Sequence, residues 1–161
     1  MSGRYYPQKD LDTIEKFNRE LLGEPNISND GIIDQFVILY RPSVYETETN
    51  MYGESSDGKV YQQGVKLPCV VNAEDFDFNI SEFGADNRQN VTFSFQRAYL
   101  VEVDLKPDIG DILKWNEGYF EVNTYNENQL VGGQPDNSHS IVVQAHLTRL
   151  STTNIEEHRG F

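Results

Sequence analysis

The chain has 161 residues with 26 acidic against 13 basic, a net charge of −13, and so offers no basic face for gripping nucleic-acid phosphates. Its single cysteine, Cys69, excludes an internal disulfide and a cysteine-cluster zinc site. No apolar run approaches the ~20 residues of a membrane-spanning helix, and no basic-then-apolar leader opens the chain, so no membrane anchor or signal peptide is expected.

The length fits one domain, residues 1–161, able to bury a core. A hydrophobic share of 37% is low for a self-sufficient globule, yet nine Tyr and nine Phe argue against disorder. Short β-strands and aromatic-rich contact surfaces fit that balance.

Residues 1–9 read as an N-terminal arm. Residues 10–22 predict a helix, with Leu11, Ile14, Phe17 and Leu21 on one stripe and Glu15 pairing with Arg19. Gly23 and Pro25 stop it. Such a helix packs on a sheet or on a neighbouring subunit. A β core is predicted over 32–148, opening with a central strand from Ile32 to Tyr40 that Arg41-Pro42 ends. Tyr45 to Met51 alternates, Gly53 to Gly58 is a polar loop, and Val60 to Val65 returns. The product is a long, weakly apolar hairpin of the kind that serves contacts between subunits.

Cys69 to Ala73 predicts a buried strand, with Cys69 a small buried hydrophobe rather than a reactive thiol. Glu74 to Phe83 predicts another strand. Val91, Phe93 and Phe95 alternate with Thr92, Ser94 and Gln96, the clearest half-buried strand in the chain. Next comes PDIGDILKWNEGYFEV, Pro107 to Val122. Gly110-Asp111 is a turn; Ile112, Leu113 and Trp115 begin a strand; Asn116-Glu117-Gly118 suits a three-residue loop with Gly left-handed; Tyr119, Phe120 and Val122 return. Gly132 to Ser138 is a loop, Ser140 to Leu147 the last strand, and 151–161 a polar tail that orders on a partner. The fold class expected is mainly β: a small barrel or sandwich with one N-terminal helix, a long hairpin and extended terminal arms.

Chemistry is sparse. Asp75-x-Asp77-x-Asn79 imitates a calcium loop, but Ile80 stands where that loop needs Gly and Asp86 where it prefers Glu. His139, His146 and His158 lack ligand spacing. Ser94 and Ser140 lack a nucleophile elbow, and Gly132-Gly133 lacks the Lys-Ser/Thr of a phosphate loop. No catalytic residue, metal site or cofactor is assigned, and the chain reads as a non-enzyme. Acids concentrate between Ser43 and Asn87: Glu46, Glu48, Glu54, Asp57, Glu74, Asp75, Asp77, Glu82 and Asp86, against Lys59 and Lys66. That is a solvated face, or a surface that must not hold DNA or that meets a basic partner.

Three blocks in order carry a family resemblance: FVILYRPSVY (Phe36 to Tyr45) leading to MYGES (Met51 to Ser55), VTFSFQRAYL (Val91 to Leu100), and KPDIGDILKWNEGYFEVNTYNENQLVGGQ (Lys106 to Gln134). Together they resemble the head-closure (stopper) neck proteins of contractile-tailed bacteriophages, the T-even-like ones in particular. The helix and the tail lie outside the match. The resemblance implies a virion protein of the neck, assembled in the host cytoplasm. It would form a homo-oligomeric ring, a hexamer or else a dodecamer, between portal and adaptor above and tail terminator below. The ring retains packaged DNA and later passes it without tight binding.

On that basis Tyr45, Glu46, Glu48, Tyr52, Glu54 and Asp57 are expected to contact a neighbouring subunit or line the channel. Ile155, Arg159 and Phe161 of the tail would meet an adjacent ring. Phe93, Phe95, Ile112, Trp115, Tyr119, Phe120 and Val122 would be barrel core. Another connector or tail-terminator ring protein is the near alternative. A carbohydrate-binding β-module, with aromatics on one concave face, is an alternative of another class, and a two-carboxylate hydrolase a third.

Overall fold

The computed structural model describes residues 8–24, 29–43, 60–75, 77–81, 84–128 and 139–148. It is mainly β, with helix α1 (Gln8–Leu22) at its N-terminal side. A helix of this length is marginal in water on its own. Leu11 and Leu22 are its buried residues, and they hold it to the rest. Gly23, at φ +79°, ends it in the left-handed conformation that glycine adopts without strain. Arg19 does not pair with Glu15 as expected. It reaches out of the helix to Glu24 at 2.7 Å and to Glu102.

The strands are β1 (Gly23–Glu24), β2 (Asn29–Asp30), β3 (Phe36–Tyr40), β4 (Val65–Pro68), β5 (Val70–Ala73), β6 (Asp77–Ser81), β7 (Gly84–Arg88), β8 (Asn90–Gln96), β9 (Ile112–Trp115), β10 (Gly118–Asn128) and β11 (Ser140–Thr148). A second helix, α2 (Arg97–Glu102), follows β8 directly. Seven strands form one antiparallel sheet in the order β4-β3-β9-β10-β11-β8-β5, while β1-β2 and β6-β7 are separate ribbons.

The sheet is not closed into a barrel by hydrogen bonds. Its two edge strands are instead successive halves of one segment, Val65 to Ala73. The segment changes partner after Cys69, whose N–H still continues the β3 side by donating to the Gln35 carbonyl at 3.0 Å, while Val70 pairs with β8. A sheet whose edges share one segment must curl, and the curl encloses the main core. Phe93, Phe95, Phe120 and Val122 are buried in it with Val37, Leu67, Cys69 and Val143. Each such large side chain contributes roughly 1.5–3 kcal/mol on leaving water. Trp115 is half-buried and stacks edge-on to Phe93 at 6.4 Å and tilted to Phe120 at 5.9 Å. Ile112 belongs to a smaller cluster with Tyr40 and Tyr61, and Tyr119 packs against that cluster, half-buried.

Several expectations change. The ladder of β3 begins only at Phe36, because the N–H groups of Ile32 and Ile33 go to the Glu20 and Leu21 carbonyls at the end of α1. Asp34, at φ +46°, breaks the extended run between them. β5 is largely exposed where a buried strand is predicted, since it is a sheet edge. The strand predicted from Glu74 to Phe83 is the first half of the β6-β7 hairpin. Within the block Val91 to Leu100 the strand β8 ends at Gln96, because α2 begins at Arg97. The Trp115↔Gly118 pairing leaves a two-residue loop, with Asn116 at φ +47° and Glu117 at +64°. Gly118 is a strand residue there, not the left-handed one. A Cβ on it would lie 3.1 Å from the Phe120 ring and 3.3 Å from Leu147.

Candidate functional site

The described residues hold no group of three or more His, Cys, Asp or Glu side chains that would suit a metal. Two open grooves and the bridge between Pro42 and Tyr61 are the notable surfaces.

The hairpin base forms where Pro42 bridges Tyr61, with Ser43 N–H on the Val60 carbonyl and Gln62 N–H on the Arg41 carbonyl, both at 2.8 Å. Arg41 fixes this base to the turn before β9. Its guanidinium donates to the buried Asp111 carboxylate at 3.2 Å and to the Lys106 carbonyl. Asp111 also accepts the Asp108 N–H at 2.9 Å. Tyr61 lies beneath; burial, then the negative charges of Glu121 and Asp111, push its phenol above the ordinary value. This arrangement holds Arg41–Ser43 and Val60–Gln62 side by side. Tyr45, Glu46, Glu48, Tyr52, Glu54, Asp57 and the Gly53–Gly58 loop lie outside the described residues, as do Ile155, Arg159 and Phe161 of the tail.

The first groove, about 510 Å³, runs between α2, the segment Asp104 to Asp108, and the outer halves of β10 and β11. Leu100, Val101, Leu105, Tyr125 and Ile141 supply apolar lining. Its charges balance: Arg41, Arg97 and Lys106 stand against Asp104, Asp108 and Glu127. Lys106 lies over the Tyr125 ring at 4.6 Å. Nothing in the sequence marks this groove, since α2, which walls it, is only six residues long and shows no helical periodicity.

The second groove, about 320 Å³, lies between α1 and the sheet. Leu21, Leu22, Ile33, Val70 and Phe95 line it, with Asn18, Ser94, Gln96, His139 and Ser140 and no formally charged side chain. Gln96 ties the helix down by donating to the Glu15 carbonyl at 3.1 Å. Helical periodicity alone marked this region, through the Leu11, Ile14, Phe17 and Leu21 stripe. The structure splits that stripe. Leu11 is buried, whereas Ile14, Phe17 and Leu21 stay exposed. His146 lies elsewhere, its Nδ1 2.6 Å from Asn123 Oδ1.

No protein-family model and no curated protein sequence matches the chain. Among solved structures, a chain of the virion of a native gene transfer agent particle is similar, with a TM-score of 0.50. The match covers 70% of this chain and 91% of that chain at 14% identity. At that identity the likeness establishes a shared fold.

Proposed function

We propose that the chain is a structural protein of a phage-like virion, and that it acts in the neck as a head-closure ring subunit. The observation that carries this is the fold shared with a chain of a gene transfer agent virion over most of both chains. The three sequence blocks that resemble stopper proteins support the finer reading. So does the charge of −13, which suits a channel that DNA traverses without adhering. Low hydrophobic content fits a protomer whose stability is shared with its neighbours. Such a protein performs no catalytic step and needs no cofactor. Its partners would be further copies of itself, the portal and adaptor above, and the tail terminator below.

Electron cryomicroscopy of the particle tests this. The expected density is a ring between capsid and tail, six- or twelvefold, fitted by this fold. Loss of the gene should give heads that fill, leak DNA and fail to join tails. A ring at the tail end of the neck would make the chain a terminator instead. Absence of the chain from purified particles would defeat the proposal.

A further inference from the structure

β4 and β5 are the two edges of the seven-stranded sheet, and they are built differently. β4 carries Lys66 and ends in Pro68, which has no N–H to offer, and its Leu67 and Pro68 are buried. The ribbon strands β6 and β7 carry Asp77, Asp86 and Arg88. Charge and proline of this kind keep a strand edge from pairing with another chain. β5 reads Val70-Val71-Asn72-Ala73 and has neither, and its Val70, Asn72 and Ala73 are exposed. Among the described residues β5 pairs with β8 alone.

The fold holds this edge open. β3 runs antiparallel to β4 with Phe36 opposite Pro68, and the Cys69 N–H on the Gln35 carbonyl carries that register one step further. A strand continued past Gln35 would set Asp34, Ile33 and Ile32 opposite Val70, Val71 and Asn72 and close the sheet on itself. That continuation does not form. Asp34, at φ +46°, turns the chain, and the N–H groups of Ile32 and Ile33 go to the Glu20 and Leu21 carbonyls of α1. What borders β5 instead is the uncharged cleft beside α1, with Leu21, Ile33 and Val70 in its lining.

We infer that β5 is a strand-addition site, and that its ligand is an extended segment of another polypeptide, laid antiparallel to β5 along the course that β3 abandons at Gln35. Backbone chemistry fixes the class of ligand, because the N–H and C=O groups of an open edge are matched by another strand. Ladder direction fixes the order of charge. An antiparallel ligand begins beside Glu74 and Asp75, two exposed carboxylates directly after β5, so it carries Lys or Arg at its start. Uncharged residues follow, every second one apolar, because side chains that share the face of Val70 lie toward Leu21 and Ile33. The net charge of −13 favours such a basic-led ligand over a second copy of the chain. The site is a property of the sheet and does not depend on a role in a neck.

Titration of the full-length chain with the synthetic peptide Lys-Lys-Val-Thr-Val-Thr-Val tests this, read by fluorescence anisotropy and by amide hydrogen exchange. The expected result is saturable binding, with exchange slowed at Val70–Ala73. A peptide whose central valine is replaced by proline, and one led by Glu-Glu, should each bind about tenfold more weakly. Asp75→Lys should abolish the preference for the basic-led peptide over the acid-led one, and Val70→Lys should weaken both. Both substituted positions are exposed, and circular dichroism checks that the fold is kept. Absence of saturable binding overturns the inference. Equal binding of the proline peptide, protection elsewhere than at β5, or slow exchange of every β5 amide in the free chain overturns it too. Dimers of the free chain that Val70→Lys abolishes would make a second copy the occupant and overturn it as well. None of these outcomes touches the virion role, which imaging of the particle decides separately.

Discussion

Arg41 and Asp111, seventy positions apart, form an ion pair in which the carboxylate is buried and the guanidinium stands at the surface. The pair joins the residue that follows β3 to the residue that precedes β9. Asp111 accepts from Arg41 and from the Asp108 N–H together, so it holds both the turn and the hairpin base. Asp111→Ala should cost about 2–3 kcal/mol, because it leaves a backbone donor and a guanidinium without their charged acceptor. Asp111→Asn keeps one acceptor oxygen and should cost about half as much. Urea midpoints of the two variants check the order; equal midpoints with wild type would show that the pair holds nothing.

The Glu117 backbone stands at φ +64° in the two-residue loop after Trp115. Non-glycine residues are strained there by roughly 1–2 kcal/mol, and Asn-Gly is the favoured pair for such turns. Glu117→Gly should therefore stabilise the protein, net of added chain entropy, by about 1 kcal/mol. For a domain of this size that raises Tm by roughly 2–4 °C. A melting curve that moves down would contradict the geometry.

Arg19 offers a contrast between an expected pair and the observed one. Its guanidinium is held above its ordinary pKa first by the hydrogen bonds it donates to Glu102 and Glu24, then by their charge, against burial. Glu102 is half-exposed, so the link is worth under about 1 kcal/mol. Glu102→Gln should still destabilise measurably, and should speed amide exchange in α1. Glu15→Gln, whose side chain is absent from the pair, should change neither. High salt should shrink the Glu102 effect.

Cys69 sets an alkaline limit. Burial pushes its thiol up to about 12 in the folded chain, above the unfolded value near 8.5. The neutral thiol is the form the core accepts. Its contribution to stability is complete below about 8.5 and is lost progressively as pH rises toward 12. A Cys69→Ala chain should lack that part of the alkaline decline, at the cost of about 1 kcal/mol for the small cavity at neutral pH. Thiol reagents should label Cys69 only on unfolding. Labelling of native protein at neutral pH at the rate of an exposed thiol would contradict its burial.

Local pattern explains which elements could be read before the fold was seen. The alternation of Val91, Phe93 and Phe95 is a strand because one face meets a core, and β8 follows it residue by residue. β11 and the β9-β10 hairpin are legible for the same reason, whereas α1 is legible by its helical spacing although most of its apolar stripe stays exposed. Ile32 and Ile33 misled because their N–H groups are claimed by helix carbonyls, a long-range event that apolarity does not encode. Gly84 to Arg88 escaped notice because its residues have low strand propensity and pair only by hairpin closure. Arg97 to Glu102 is too short for helical periodicity to show. At the candidate surface, helical spacing marks the stripe on α1 but not its exposure, which depends on how Leu11 and Leu22 orient the helix.

The double role of Val65 to Ala73 bears on how the chain reaches its native state. One half must find β3, whose partners begin at Phe36, and the other β8, which ends at Gln96. Neither pairing is local, and both draw on the same nine residues. Contact order is raised accordingly, and the rate of folding is governed by when this stretch is captured from both sides. A chain caught with only one half docked exposes a naked strand edge, so the interval before capture is when it is most prone to associate with the wrong copy.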